Sequence, residues 1–471
     1  YDLQEDPVTG NITLASQKSG LEHHMPLIYC NHDDGAVYYV DKEYNLYTFY
    51  IESKKKEFVV NLGTKIQAHD RISTIIKYHD SFFVGLMIDG VLTLDKQKGS
   101  DEYQIQPLPL NSGVFSLVKD RFQDFIWIAT DGQGVYLYSN PLYSIKSVVL
   151  NNYTDKIERP VRALLLDKER TFWIGTKGNG ILKIYDYEVD KNISDCRSEV
   201  LTISNSGLGS NAVYCIGKSN RNLLWIGDEE GLNFYSYRDR CIKKLPLWID
   251  NEEIKYIHDI YETEDSELWL ASVGMGVIRA HIGGTQDHPV LENMQRYVAN
   301  AGEFGSNCFF TICKGDSLGM LFGNMGHGVF RFNEISNGLE PLTTHKYENM
   351  NLNKVVPIAR DEADNYLIGT TYGLIKYTSE NSYQLFNAKD GFLNSTIHAI
   401  LKHSSDNFWL STNQGLINFD TKRNVFRSYG FSDGLKVVEF SDGASYRDPQ
   451  TGTLFFGGIN GFVAIQADGR P

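Results

Sequence analysis

One unit recurs along the chain, and its recurrence constrains the fold more than any other feature. The unit is an alternating apolar strand, a polar turn, a hydrophobic strand that often carries Trp, a short Gly turn and a third strand. The clearest copy runs Val161-Arg162-Ala163-Leu164-Leu165-Leu166-Asp167, then Phe172-Trp173-Ile174-Gly175-Thr176, then Gly180-Ile181-Leu182-Lys183-Ile184. Five of the six Trp occupy one position of the unit: Trp127, Trp173, Trp225, Trp269 and Trp409. Phe83, Leu321, Leu367 and Phe455 fill that position in other copies, and Tyr38 fills it in a more divergent one. A glycine follows within six or seven residues in nearly every copy, as at Gly90, Gly134, Gly180, Gly231, Gly276, Gly328, Gly373, Gly415 and Gly461. Twelve residues before the Trp position an apolar residue opens the first strand: Val161, Val213, Ile257, Phe309, Val355 and Ile397.

The mean spacing of about 47 residues falls in the range of propeller blades. Period-2 alternation specifies strands rather than helical repeats. Stretches such as Glu199-Val200-Leu201-Thr202-Ile203 and Ser382-Tyr383-Gln384-Leu385-Phe386 supply a fourth strand, and four antiparallel strands stacked radially make a blade. A blade cannot bury both its faces alone, so neighbours stack and the ring must close.

The last seven copies begin near Val161, Val213, Ile257, Phe309, Val355, Ile397 and Gly443. The final copy ends at Gly461-Phe462-Val463-Ala464-Ile465 with almost no chain left for its own fourth strand. The strand-like segment Ser144-Ile145-Lys146-Ser147-Val148-Val149-Leu150 precedes the first of the seven without a blade of its own. The expected fold class is therefore all-β, with a seven-bladed β-propeller over residues 141–471 closed by the strand 144–150. Residues 1–140 are expected to form about three blades, near 25–50, 71–95 and 113–139, of a second, incomplete β-propeller. Three blades cannot close a ring, which leads to the expectation of further sequence upstream or of another chain covering the edge.

Composition excludes several function classes. Aromatic residues make up 13% of the chain beside 42 Gly, a mixture suited to strands and tight turns. The net charge of −14 repels a polyanion, so no nucleic-acid partner is expected for this segment. The cysteines Cys30, Cys196, Cys215, Cys241, Cys308 and Cys313 form no CxxC pair, which argues against a zinc site and a dense disulfide framework. No apolar run is long enough to span a bilayer, and Tyr1 to Gly20 lack a signal-peptide pattern. The glycines recur with the blade period rather than at helix starts, so they make no nucleotide loop, and neither HExxH nor GxSxG occurs. No cofactor and no metal site are expected.

The motif Phe172-Trp173-Ile174-Gly175-Thr176-Lys177-Gly178-Asn179-Gly180-Ile181 resembles the repeat of bacterial two-component regulator propellers. Asn222-Leu223-Leu224-Trp225-Ile226-Gly227, and Phe408-Trp409-Leu410-Ser411-Thr412 followed by Gly415-Leu416, are similar to it as well. Lys389-Asp390-Gly391-Phe392 and Ser432-Asp433-Gly434-Leu435 resemble that family's links between late blades. Val438-Glu439-Phe440 and Leu454-Phe455-Phe456-Gly457-Gly458-Ile459-Asn460-Gly461-Phe462 resemble its final blade. The resemblance implies the periplasmic sensor region of a Bacteroides-type hybrid two-component system, with two seven-bladed propellers and a glycan fragment bound where the propellers meet. It further implies a β-sandwich, a membrane helix and a kinase downstream, or a direct DNA-binding output. A homodimer is the implied state of the full-length receptor.

Ligands gather where loops converge at one end of a scaffold. The residues one past the strand opener are Arg162, Tyr214, His258, Phe310, Val356 and His398, and alternation predicts that they point the same way in their blades. Lys177, Asn179, His327, Tyr372, Asn413 and Asn460 in the turns between second and third strands could join them. Such a mixture suits a sugar: aromatic faces pack on pyranose rings while Arg, Asn and His bond the hydroxyls, and Arg pairs with a uronate or sulfate. The same residues could instead merely line a water-filled channel. His23-His24 reads as surface, since adjacent strand residues face opposite ways. Asp228-Glu229-Glu230 could serve glycoside hydrolysis but reads better as a solvated turn. The leading expectation is a non-enzymatic, glycan-sensing module. A propeller-fold polysaccharide lyase or glycosidase, and a protein-interaction scaffold, are the alternatives.

Overall fold

A strand such as Phe172-Trp173-Ile174 is apolar on both faces and must be covered on both sides. In the computed structural model of the chain, the second strands Phe172–Thr176, Leu223–Asp228, Tyr366–Thr370 and Leu454–Gly458 are buried along their whole length. The structure describes residues 2–5, 12–15, 27–33, 35–96, 102–120, 125–138, 143–154, 157–298, 307–315, 318–342, 355–362, 365–379 and 382–467. His23-His24 lies outside the described residues.

The chain is all-β and divides into two compact units, 1–140 and 141–470. In the second unit seven four-stranded antiparallel sheets follow one another. We number these blades from one to seven by their innermost strands: Val161–Leu166, Val213–Lys218, Ile257–Glu262, Phe309–Lys314, Val355–Arg360, Ile397–Lys402 and Phe440–Arg447. Each innermost strand neighbours the next, and the seventh neighbours the first, so the blades form a closed ring. The outermost strand of the seventh blade comes from the start of the unit. Tyr143–Val149 pairs antiparallel with Gly461–Ala467, in a register running from Tyr143 opposite Ala467 to Val149 opposite Gly461.

The apolar core lies between blades rather than within them. Seven clusters of buried side chains each join two consecutive blades. Trp173 packs edge-on against Tyr235 of the second blade, Trp269 against Phe332 of the fourth and Phe172 against Phe462 of the seventh, with Phe455 tilted against Phe172. The Trp position is therefore the contact to the following blade, and Trp173, Trp225, Trp269 and Trp409 are at most 2% exposed.

Two glycines of the unit have different tasks. Gly175, two residues past Trp173, leaves room for the opener of the next blade: a Cβ there would sit 2.8 Å from Cγ1 of Val213. Gly457 holds the same relation to Val161 across the closing seam, with Cγ1 at 2.6 Å. Gly180, in the following turn, adopts φ +76°, and a Cβ would collide with the carbonyl of Leu201 in the fourth strand.

Among the described residues the first unit repeats the blade three times, beside a two-stranded ribbon of Asp2–Glu5 and Ile12–Ala15. Leu27–Asp33 opens one sheet of four strands, Ile72–Tyr78 opens another, and Val114–Lys119, Ile126–Thr130 and Val135–Tyr138 make a three-stranded third. Its innermost strands adjoin in that order, giving an arc of a second propeller. In the third sheet the Trp position is less buried. Trp127 is 41% exposed, although its indole still donates to Asp120 at 2.9 Å, as that of Trp173 donates to Asp167.

These environments predict unequal costs for the same substitution. Trp173→Ala should destabilise the seven-bladed unit by about 3–5 kcal/mol, whereas Trp127→Ala should cost about 1 kcal/mol or less. Urea unfolding of the two variants, followed by tryptophan fluorescence and circular dichroism, measures the difference.

Candidate functional site

The residue after each opener owes its direction to a β-bulge. In the first blade Val161 pairs with Thr176 and Ala163 with Gly175, so Arg162 is extra and is pushed out of the ladder. The same slip falls at Tyr214, His258, Phe310 and His398, and in the fifth blade at Val356-Pro357. The alternation expected from the sequence is thus interrupted at these positions. The openers stay buried at the interblade contact while the bulged residues turn to the end of the ring where the chain enters each innermost strand.

The seventh blade exaggerates the device. Phe440 pairs with Gly458 and Ser445 with Phe456, so five steps on one strand meet two on the other. Asp442 lies in this enlarged bulge. The strand begins at Phe440, ahead of the start near Gly443 expected from the sequence, because the bulge absorbs the residues between.

These bulged side chains form a nearly continuous belt around the entry end. Nε2 of His398 lies 2.6 Å from Oδ1 of Asn413, and Nδ1 lies 2.6 Å from Oδ1 of Asp442. Oδ2 of Asp442 faces the Arg162 guanidinium at 3.8 Å. That guanidinium is 5.9 Å from the centre of the Tyr214 ring, which stacks on His258 with centroids 4.2 Å apart and planes 16° apart. His258 meets Phe310 edge-on at 5.1 Å. Val356 is only 3% exposed and interrupts the belt at the fifth blade. Burial lowers the pKa of the Arg162 guanidinium, against the opposing attraction of Asp442. Burial also raises that of the Tyr214 hydroxyl, helped by nearby Glu229.

The turn residues separate by role. Asn413 joins the belt. Lys177, His327 and Tyr372 are exposed beside it, Tyr372 to 45%. Asn179 instead holds the loop that enters the first blade, its side-chain oxygen accepting from the backbone N–H of Glu158 and Arg159 at 3.0 and 2.8 Å. Asn460 is half-buried, with its amide nitrogen 3.4 Å from the carbonyl of Lys436. Asp228 corrects the solvated-turn reading. It is fully buried and accepts from the N–H of Ser210 and Glu230 and from the Asn233 amide at 2.8, 2.9 and 2.8 Å, and burial pushes its carboxyl up to about 6. It clamps an entry loop to a turn, while Glu229 and Glu230 are half-buried beside it.

Exposed apolar side chains, five of them aromatic, lie on the same end as the belt, and of the aromatic ones the sequence pointed only to Tyr372. Ten of the thirteen exposed large apolar side chains described in residues 141–470 lie in the entry loops or in the turns on the same end. Among them are Tyr153 (42%), Trp248 (55%), Tyr256 (41%) and Phe431 (79%). Trp248 is presented by a small hairpin, Trp248–Ile249 with Glu252–Glu253, whose two turn residues Asp250 and Asn251 both take positive φ. Trp248 is the one Trp that does not fit the repeat, which was a usable signal. Tyr256 stands directly before an opener at φ +53°, a left-handed conformation that β-carbon-bearing residues rarely adopt. No group of three or more metal-ligating side chains occurs among the described residues, where Cys196, Cys215, Cys241, Cys308 and Cys313 are free thiols.

No known protein-family profile matches the chain. It is 23% identical over 315 residues to histidine kinase P4 of Formosa agariphila, a match that takes in 65% of this chain and 22% of the kinase. Its structure is similar to the extracellular domain of a hybrid two-component system of B. thetaiotaomicron, with a TM-score of 0.57 at 21% identity over 98% of this chain and 65% of that one. A virginiamycin B lyase of Staphylococcus aureus is also similar, with a TM-score of 0.51 at 15% identity over 69% of this chain and 99% of the lyase. These relatives agree with the resemblance read from the repeat, and the structural likeness establishes the propeller fold. The chain spans less than two thirds of that extracellular domain and of the kinase.

Beside the belt, Asp259 ties the third blade to the fourth by accepting from the N–H of Ile312 at 2.7 Å, and burial pushes its carboxyl up to about 6. An unfolded Asp titrates near ~3.9, so the folded state holds the proton more tightly, and the stability this contributes is lost as pH rises through about 6. Asp259→Asn should therefore gain on the native protein by about 2–3 kcal/mol between pH 4 and pH 8. Paired urea titrations across that range check the sign.

Proposed function

We propose that the chain is the ligand-sensing part of an extracytoplasmic receptor of the two-component type, and that it binds a glycan fragment on the entry end of the seven-bladed ring. The observation that carries this reading is the belt running from Asn413 through His398, Asp442, Arg162, Tyr214 and His258 to Phe310, on an end that also exposes aromatic side chains. Sugars offer apolar C–H faces and a dense array of hydroxyls. Aromatic surface such as Trp248 and Tyr256 suits the faces, and the polar belt suits the hydroxyls.

The relatives support the signalling half of the proposal, being a histidine kinase and the extracellular domain of a hybrid two-component system. No helix among the described residues is long and apolar enough to cross a membrane, so transmission would rest on other parts of a receptor that is periplasmic in this segment and homodimeric as a whole. Ligand binding signals only if it favours one arrangement of domains or protomers over another.

A second reading is a propeller lyase or glycosidase. The bond of 2.6 Å between His398 and Asp442 favours it, since a carboxylate that orients an imidazole is a common general-base arrangement, here one that acts only once Nε2 is released from Asn413. It predicts turnover of a polysaccharide that disappears in His398→Ala.

Isothermal titration of the chain with a panel of oligosaccharides tests the binding proposal. At least one should bind without being consumed, and Tyr214→Ala and Trp248→Ala should each weaken it about tenfold with unchanged circular dichroism. Silence of the folded protein across the panel contradicts the proposal, and product formation turns it to the second reading.

A further inference from the structure

We infer that the belt receives an anionic group of the ligand, a carboxylate or a sulfate, on the guanidinium of Arg162. The inference rests on the reading of the entry end as a ligand site and specifies the chemistry at its centre. Arg162 reaches this centre because the bulge in its strand expels it from the ladder, and its side chain is only 13% exposed. A guanidinium offers five N–H donors in a rigid fork, and a buried one requires acceptors. Among the described residues Nε of Arg162 has no hydrogen-bond partner, and the approach of Nη1 to Asp442 at 3.8 Å is too long for a hydrogen bond.

The geometry accounts for this loose pairing. Asp442 is drawn to the opposite side, where Oδ1 makes the 2.6 Å bond to His398. The aromatic ring of Tyr214 beneath the guanidinium favours a cation but supplies no acceptor in the plane of its fork. The fork is thus charged, poorly solvated and under-bonded, conditions under which a planar carboxylate or a sulfate binds by two parallel charge-assisted hydrogen bonds. A neutral hydroxyl accepts from one donor and brings no countercharge of its own. Asp442 keeps the site from being strongly positive, so it competes with the incoming anion for Arg162 while His398 holds it in place.

The competition gives the test two variants with opposite signs. The chain is titrated calorimetrically with glucuronate-containing disaccharides, with sulfated disaccharides and with their neutral parents. At least one anionic series should bind about tenfold or more tightly than its neutral parent, and the series that does so distinguishes carboxylate from sulfate. Arg162→Gln should abolish that preference, with Arg162→Lys retaining part of it. Asp442→Asn should strengthen anion binding about threefold to tenfold, a gain that misfolding or a purely structural pairing would not produce. Equal affinity for neutral and anionic sugars, or weaker anion binding by Asp442→Asn, overturns the inference while leaving the glycan reading intact. Absence of binding by every sugar overturns both.

Discussion

Packing between blades is the interaction on which everything else in residues 141–470 depends. A blade here has no core of its own: Trp173, Trp225 and Trp409 bury themselves in clusters shared with the next sheet. Each sheet is therefore stable only as a member of the ring. The small residue two positions past Trp makes this close approach possible, as at Gly175 under Val213 and at Gly457 under Val161. The second of these contacts crosses from the last blade to the first and is made only when the circle is complete.

The site inherits its geometry from that packing. The opener of each innermost strand is committed to the contact with its neighbour, so the bulge immediately after it turns one side chain per blade toward the entry end. Rigid, buried openers hold those side chains in place, which limits the ordering needed on binding. The most polar stretch of the belt, from His398 through Asp442 to Arg162, spans the sixth, seventh and first blades. Ring closure thus brings together residues 280 positions apart, 162 and 442, in one constellation.

Much of the fold could be read from the sequence because the repeat fixes offsets between large, small and apolar residues. The Trp, the turn glycine and the opener twelve residues earlier mark strands whose burial they themselves cause. The direction of Arg162 and Tyr214 was legible as a shared feature, but its cause was not: a bulge leaves no mark on a short alternating pattern. Asp442 was missed because an enlarged bulge moves it off the repeat offset. The burial of Asp228 depends on a loop, around Ser210, whose position no local pattern encodes. Trp127 shows the converse limit. It carries the motif of its buried counterparts, yet it is 41% exposed, because burial at this position is set by neighbouring sheets and not by the motif itself.

The central claim, that interblade contacts lock residues 141–470 into one closed ring, is tested most directly by native-state hydrogen exchange. If the ring is one cooperative unit, amides of the closing strand Tyr143–Val149 will exchange with the same opening free energy as those of Phe309–Lys314 on the fourth blade. Exchange of Tyr143–Val149 through a separate, low-energy opening, with the fourth blade still protected, would contradict it.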